Sequence, residues 1–233
     1  GAVAPSLLEL PMTKAAVKAM DVLGDFLKIQ SFVLMGTSKR GNLCWNAASV
    51  DPRVRGIVPI ARPLNLRGVL RLTQKELGGF PVAASLYVEK GLLGGYLDSA
   101  TGQSFLNITD SFFYLPRTSN IPKFVINAGN DDFFVPDNTK EWWPAVPEPK
   151  WMSTVPNTKH IVGGAQVRAL TPMISVFLQT QLRLPRVTWK IEEDGAIVAT
   201  ADSEPQPQDV QLWQAESCDS RRMDFRFKSA KTE

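Results

Sequence analysis

The sequence predicts an α/β protein with a mostly parallel sheet and flanking helices, followed by a small all-β segment. Short apolar runs that end in turn residues alternate with helical patterns, as in proteins built on parallel sheets. After Pro185 the pattern changes to short strands separated by turn residues such as Gly195. We therefore divide the chain into an α/β core, residues 1–184, and a small β-sandwich-like region, residues 185–233.

The individual elements follow from apolar periodicity and turn residues. Uninterrupted apolar runs predict buried parallel strands, and spacings of three and four predict helices, the first with Thr13 as its N-cap. The stretch 64–120 mixes short helical patterns with paired glycines, as an inserted or lid-like segment does. The predicted core strands are 32–35, 54–60, 123–127 and 151–155; the helices are 13–28, 42–49, 138–143 and 165–181; the later strands are 187–191, 196–201, 210–213 and 224–228.

The composition indicates a globular protein and argues against several classes of partner. The net charge is only +3 and the basic residues are scattered, without the basic stripe that nucleic-acid binding needs. Apolar runs fall short of the roughly 20 residues of a membrane-spanning helix. There is no His/Cys cluster and no calcium-loop spacing, so we predict neither a metal nor another cofactor. Cys44 and Cys218 are compatible with a disulfide or with two free thiols.

A candidate nucleophile lies between strand 32–35 and helix 42–49, in the turn Gly36-Thr37-Ser38-Lys39-Arg40-Gly41. A sharp strand-to-helix turn exposes a serine for attack, and the crowded turn needs small flanking residues. The second glycine comes one residue later than in the G-x-S-x-G pattern. Ser38 is therefore a candidate nucleophile, and a serine that caps an ordinary turn is the alternative.

A serine nucleophile also needs a base and a carboxylate that orients the base. In α/β-hydrolases these come in the order serine, acid, histidine, each on a loop after a strand. Asp131 follows strand 123–127, and His160, the single histidine of the chain, follows strand 151–155. This order predicts the triad Ser38, Asp131 and His160 in the C-terminal part of an α/β-hydrolase fold.

Two features of this predicted site stay open at this point. Asp132 is the alternative acid, because adjacent side chains point in different directions and only one can face His160; Asp137 is a third option. The backbone N–H of Lys39 supplies one oxyanion-hole donor. The side chains of Lys39 and Arg40 either bind an acidic substrate or pair with carboxylates.

The N-terminus begins Gly1-Ala2-Val3 and shows no signal peptide. The chain soon enters a predicted helix, and the strands that precede a nucleophile elbow, with the second oxyanion donor, have no counterpart before it. We therefore expect a fragment or a processed product of a longer protein.

Several runs resemble the PhoPQ-activated pathogenicity-related proteins. They are the elbow 36–41, the runs 50–54 and 57–60, Pro122-Lys123, Asn130-Asp131-Asp132-Phe133-Phe134, Val155-Pro156-Asn157, and, near the C-terminus, 213–215 and 222–226. The resemblance implies an α/β-hydrolase-like fold, a secreted or extracellular location, and a triad at Ser38, Asp131 and His160, with Asp131 preferred over Asp132. Asn42 and the run Ala61-Arg62-Pro63 depart from the family pattern and concern the pocket rather than the triad.

The sequence thus predicts a serine hydrolase that cleaves an ester, amide or peptide bond in a small-molecule or peptide substrate. The alternative, which the resemblance also implies, is a secreted signalling or binding protein of the same fold with little or no turnover. Neither the substrate nor the oligomeric state follows from the residues.

Overall fold

The computed structural model describes residues 7–162, 164–180, 184–202, 210–216 and 228–230. Its helices are α1 (Glu9–Leu27), α2 (Lys39–Ala48), α3 (Leu66–Leu77), α4 (Ser85–Glu89), α5 (Gly95–Asp98), α6 (Ala100–Thr109) and α7 (Gly164–Gln179). Its strands are β1 (Phe32–Thr37), β2 (Val54–Ile60), β3 (Lys123–Ala128), β4 (Lys150–Val155), β5 (Val187–Ile191), β6 (Ile197–Ala201), β7 (Leu212–Gln214) and β8 (Lys228–Ala230). Short 3-10 helices span Val82–Ala84, Ser111–Thr118, Pro136–Glu141 and Trp143–Ala145.

The first four strands form one parallel sheet in the order β1-β2-β3-β4. Each strand lies beside the next one in sequence, so the connecting helices carry the chain back across a face of the sheet. All four carboxyl ends therefore meet at the same edge of the sheet. Open parallel sheets bind their ligands at that edge.

Helices cover both faces of this sheet, because successive side chains of a strand point to opposite sides. On β3, Val125 belongs to the hydrophobic cluster that contains Trp45 of α2 and Met20 of α1. Its neighbour Phe124 belongs to a second cluster, with Phe177 of α7. The alternation explains why β3 is buried on both faces and has the apolar run Phe124-Val125-Ile126 at its centre.

The segment between β2 and β3 consists of short helices, α3 to α6, as the mixed pattern of residues 64–120 predicted. Leu70, Leu97 and Leu106 form a small cluster of their own within this segment. The buried carboxylate of Asp110 ties the segment together, since it accepts hydrogen bonds from the backbone N–H groups of Leu66 (2.7 Å) and Phe112 (3.0 Å). This helical layer covers part of the carboxyl edge of the sheet.

The structure corrects the start of α1. The helix begins at Glu9 rather than at Thr13, whose hydroxyl donates to the Glu9 carbonyl from inside the first turns. Pro11 does not stop the helix, because the first backbone N–H groups of a helix have no intrahelical acceptor and a proline there loses nothing.

The C-terminal region forms two antiparallel pairs, β5 with β6 and β7 with β8. Most of the strand predicted at 224–228 lies outside the described residues, as does Cys218.

Cys44 is a buried free thiol, and burial raises its pKa to about 12. The predicted division at residue 184 stays a prediction. Among the described helices, none combines the length and apolar character of a membrane-spanning segment.

Candidate active site

The carboxyl edge of the sheet brings together residues that are far apart in sequence. Ser38 follows β1, Arg62 follows β2, Asp131 follows β3 and His160 follows β4. Each of four neighbouring strands thus places one polar side chain at this edge. The three predicted triad residues lie in direct contact there.

Ser38 occupies a strained backbone conformation, with φ 56° and ψ −122°. The backbone N–H of Ser38 donates to the carbonyl of Ile60 on the adjacent strand at 2.8 Å, which fixes the turn. A non-glycine residue in such a conformation costs of order 1–3 kcal/mol and persists only where the surroundings enforce it. This is the geometry of a nucleophile elbow, in which the serine hydroxyl projects from the turn.

The glycines of the elbow explain the departure from G-x-S-x-G. A Cβ atom at Gly36 would lie 2.5 Å from the carbonyl oxygen of Arg40, so this position admits only glycine. A Cβ at Gly41 would lie 2.9 Å from the Cβ of Arg62 and 3.1 Å from the Gly36 carbonyl oxygen. The close approach to β2 therefore falls on Gly41, and the exposed Arg40 is accommodated in the position where the pattern has glycine.

The imidazole of His160 lies between the other two side chains. Its Nε2 is 2.7 Å from the Ser38 hydroxyl oxygen, and its Nδ1 is 3.0 Å and 3.1 Å from the two carboxylate oxygens of Asp131. With Nδ1 protonated toward the carboxylate, Nε2 is free to accept the serine proton. The arrangement can activate the Ser38 hydroxyl for nucleophilic attack.

Asp131, and not Asp132, is the carboxylate that contacts the ring. The Oδ1 of Asp131 also accepts the backbone N–H groups of Phe133 and Phe134, both at 2.8 Å, so the carboxylate is held by the turn that follows it. Asp132 accepts the backbone N–H of His160 at 3.1 Å and thereby positions the histidine loop. Asp137 lies in a 3-10 helix and pairs with Lys140.

The surroundings shield the imidazole of His160 from water. The side chains of Asp131 and His160 are 4% and 16% exposed. The rings of Phe133 and Phe134 lie 5.2 Å and 5.4 Å from the imidazole. In the sequence, these phenylalanines stand out only as part of a family motif. In the structure, their N–H groups hold the Asp131 carboxylate and their rings pack beside the imidazole.

Lys39 is the first residue of α2, directly after Ser38. Its backbone N–H belongs to the first turn of the helix and has no acceptor within the helix, which suits a donor to developing negative charge. The side chains of Lys39 and Arg40 are both exposed. Among the described carboxylates, none lies within ion-pair distance of either side chain.

A cavity of about 270 Å³ adjoins Ser38. Its polar end contains Ser38, Lys39, Asn42 and Arg62, and side chains of the helical segment between β2 and β3 form much of its apolar wall. In the sequence, Asn42 and Arg62 stand out only as departures from a family pattern. Asn42 lies one helical turn after Ser38 on α2, whereas Arg62 lies beside Ser38 because of the alignment of β1 with β2, which the sequence does not reveal.

The four tryptophans between residues 45 and 151 have structural positions. Trp45 and Trp142 are fully buried, and Trp143 and Trp151 pack against the two main clusters. Within the described residues, no group of three or more histidine, cysteine or acidic side chains has the arrangement of a metal site.

The fold is shared with proteins of known structure. The proline iminopeptidase of Mycobacterium smegmatis superimposes with a TM-score of 0.52 at 14% identity, over 76% of this chain and 75% of that one. The esterase domain of a Rhodothermus marinus protein gives 0.50 at 16% identity, over 72% and 68%. At these identities the likeness establishes the fold, and the predicted α/β-hydrolase fold is confirmed.

Sequence comparison identifies the family. Autocrine proliferation repressor protein A of Dictyostelium discoideum is 35% identical to this chain over an alignment of 238 residues. The alignment covers 95% of this chain and 48% of that protein. The chain thus spans about half the length of this curated relative. The family model of the PhoPQ-activated pathogenicity-related proteins matches residues 3–226. The chain belongs to the PhoPQ-activated pathogenicity-related protein family.

Proposed function

We propose that this protein is a serine hydrolase that cleaves an ester, amide or peptide bond. The observation that carries the proposal is the continuous contact from Ser38 through His160 to Asp131, with 2.7 Å on the serine side and 3.0 Å on the carboxylate side. The α/β-hydrolase fold and the strained backbone of Ser38 support the same conclusion.

The proposed reaction has two halves. The Ser38 oxygen attacks the carbonyl carbon while its proton passes to Nε2 of His160, and the Lys39 N–H stabilises the oxyanion. The intermediate collapses as the imidazolium gives its proton to the departing alcohol or amine, which leaves an acyl-serine. Water then attacks the acyl-serine with His160 again acting as base, and the acid product and free Ser38 are released. Asp131 holds the imidazole in the required tautomer throughout.

A fluorophosphonate probe tests this proposal, because it modifies only a serine activated as a nucleophile. We expect one probe per chain on the wild-type protein and none on Ser38→Ala. The control is Ser104→Ala, which removes an exposed serine of α6 and should leave labelling unchanged. The probe is applied to this chain and to the longest natural polypeptide that contains it. Failure of both to react would overturn the proposal.

The second candidate function is a secreted signal with little turnover. The observation that favours it is the 35% identity to a protein named autocrine proliferation repressor. It predicts that the protein accumulates in the growth medium and that Ser38→Ala slows proliferation of the producing cells as effectively as the wild type. A hydrolase that acts through its product would instead lose the effect with Ser38.

A further inference from the structure

The cavity beside Ser38 has a buried charged side chain, Arg62, at its polar end that the proposed reaction does not use. Arg62 follows β2 and contributes to the cavity lining together with Ser38 and Asn42. Ser38 and Asn42 are one helical turn apart, since the Asn42 N–H donates to the Ser38 carbonyl. The guanidinium of Arg62 lies within hydrogen-bond distance of Asn42, so a cation is held close to the nucleophile.

The guanidinium is held in place but its donors are mostly unused. Its Nη2 donates to the neutral Oδ1 of Asn42 at 3.3 Å, and its Cζ lies 5.9 Å from the centre of the Phe134 ring. The Nε of Arg62 is fully buried, and the part of the chain that the structure describes offers it no hydrogen-bond partner. Arginine carries five N–H donors in a planar fork. The terminal Nη groups of a guanidinium held in this way can donate to a planar acceptor such as a carboxylate.

The carboxylates nearby do not neutralise this cation directly. No described carboxylate lies within 4 Å of the Arg62 guanidinium. The two oxygens of Asp110 are occupied by backbone N–H groups of Leu66 and Phe112. Burial lowers the pKa of Arg62, and the more distant charges of Asp110 and Glu9 oppose this effect. A guanidinium still keeps its proton at neutral pH, because its ordinary pKa is above 12.

The remaining charged side chains around the cavity favour a negatively charged ligand. Lys39 lies on the lining as a second cation, and Glu9 is the single carboxylate of the lining described here. The opposite walls are apolar and include Leu70, Tyr96 and Phe105. A molecule that fills this space presents apolar groups to the walls and an acceptor to Arg62.

We infer that Arg62 determines specificity by binding a carboxylate of the substrate, in an acyl group that is apolar along its length and negatively charged at its end. The inference rests on the proposed hydrolase function and narrows its substrates to acidic ones. Asn42 acts as a positioning residue, because its Oδ1 holds the guanidinium while its Nδ2 donates to the Thr109 carbonyl at 3.0 Å.

Matched esters test the inference. The mono-4-nitrophenyl esters of adipate, pimelate and suberate are compared with 4-nitrophenyl hexanoate, heptanoate and octanoate, so that each pair differs by a terminal carboxylate in place of a methyl group. For at least one length, we expect kcat/KM of the wild type to favour the acidic ester by about 10- to 100-fold, the range of a hydrogen bond between charged groups. A wild-type preference for the neutral ester at every length would overturn the inference.

Variants of Arg62 test whether this residue causes the preference for the acidic ester. Arg62→Gln should bring the ratio of kcat/KM for the acidic ester to kcat/KM for the neutral ester close to one. Arg62→Lys, which keeps the charge without the planar fork, should give an intermediate ratio. The matched control is Arg55→Gln, which removes an exposed arginine from β2, the strand that precedes Arg62, and should keep the wild-type ratio. Thermal unfolding verifies that each variant is folded. An unchanged ratio in folded Arg62→Gln would overturn the inference.

A binding measurement separates this inference from the hydrolase proposal. On Ser38→Ala, calorimetry compares monomethyl adipate, pimelate and suberate with the methyl esters of the matching neutral acids. Tighter binding of an acidic ester, lost in the double variant with Arg62→Gln, supports the role of Arg62 even if no ester is hydrolysed. Equal binding of each pair overturns that role whatever the outcome of the probe experiment.

Discussion

Replacing Asp131 by asparagine separates its charge from its shape. The Oδ1 of Asp131 accepts the N–H groups of Phe133 and Phe134, so an asparagine at this position keeps its carbonyl oxygen there. Its NH₂ group then occupies the place of Oδ2, 3.0 Å from Nδ1 of His160. Nδ1 can accept from this group only if the imidazole proton moves to Nε2. In that tautomer the ring donates to Ser38 and can no longer take its proton.

The tautomer with its proton on Nε2 should greatly slow nucleophilic attack by Ser38 but have little effect on the stability of the fold. We expect the second-order rate constant of fluorophosphonate labelling to fall by about 10³- to 10⁴-fold, or about 4–5.5 kcal/mol of activation free energy. The free energy of unfolding should fall by about 1 kcal/mol, since the two backbone donors lose a charged acceptor but not a partner.

Asp132→Asn is the matched control. Asp132 accepts the His160 N–H through Oδ1, and an asparagine can do the same. The remaining contact, between Asp132 and Lys159 at 4.0 Å, is a surface pair worth about 0–1 kcal/mol. Labelling of this variant should therefore stay within about fivefold of the wild type. Equal losses in the two variants, or no loss in Asp131→Asn, would refute the reasoning.

Three further changes test the elbow and the core. Gly36→Ala should lower the free energy of unfolding by about 3 kcal/mol, because the added Cβ meets the Arg40 carbonyl. At Gly79 an added Cβ has no atom within 4 Å, so Gly79→Ala should change the free energy of unfolding by less than about 0.5 kcal/mol. Chemical denaturation measures both variants, and equal effects would contradict the packing argument. Ser38→Gly should be about 1 kcal/mol more stable than Ser38→Ala, since glycine relieves the strained φ and ψ, and a less stable Ser38→Gly would rule out strain. Burial lowers the pKa of the fully buried Lys123 from 10.5 to about 8, so the unfolded chain binds more protons between these values and the contribution of this side chain to stability rises with pH across that window. Lys123→Met should therefore be about 2 kcal/mol more stable than the wild type at pH 7, a value that allows for the lost hydrogen bond to the Pro147 carbonyl. The stability difference between the variant and the wild type should vanish near pH 10. Denaturation at both pH values measures it, and a difference that does not change with pH would contradict the prediction.

The parallel sheet was predictable because short apolar runs that end in turn residues alternate with helical patterns. The predicted runs 32–35, 54–60, 123–127 and 151–155 lie within β1 to β4, whereas the order of the strands across the sheet follows from the structure. The start of α1 was not predictable in the same way. Pro11 normally marks a helix boundary, but its place in the first turn costs no hydrogen bond, so the helix begins before it.

The geometry of the site needed the structure. Asp131 and Asp132 are adjacent and chemically identical, and only the turn formed by the N–H groups of Phe133 and Phe134 decides which carboxylate faces the imidazole. Arg62 is distant from Ser38 in sequence. The two become neighbours because Thr37 pairs with Ile60 in the register of β1 and β2, and no local pattern encodes that register.

The central claim is that Ser38 is an activated nucleophile, and peptide mapping by mass spectrometry after fluorophosphonate treatment tests it most directly. The account predicts a single adduct on the peptide that contains Ser38, formed slowly or not at all in Asp131→Asn and absent in Ser38→Ala. An adduct on a different residue, or an unmodified Ser38 both in this chain and in the longest natural polypeptide that contains it, would contradict the account.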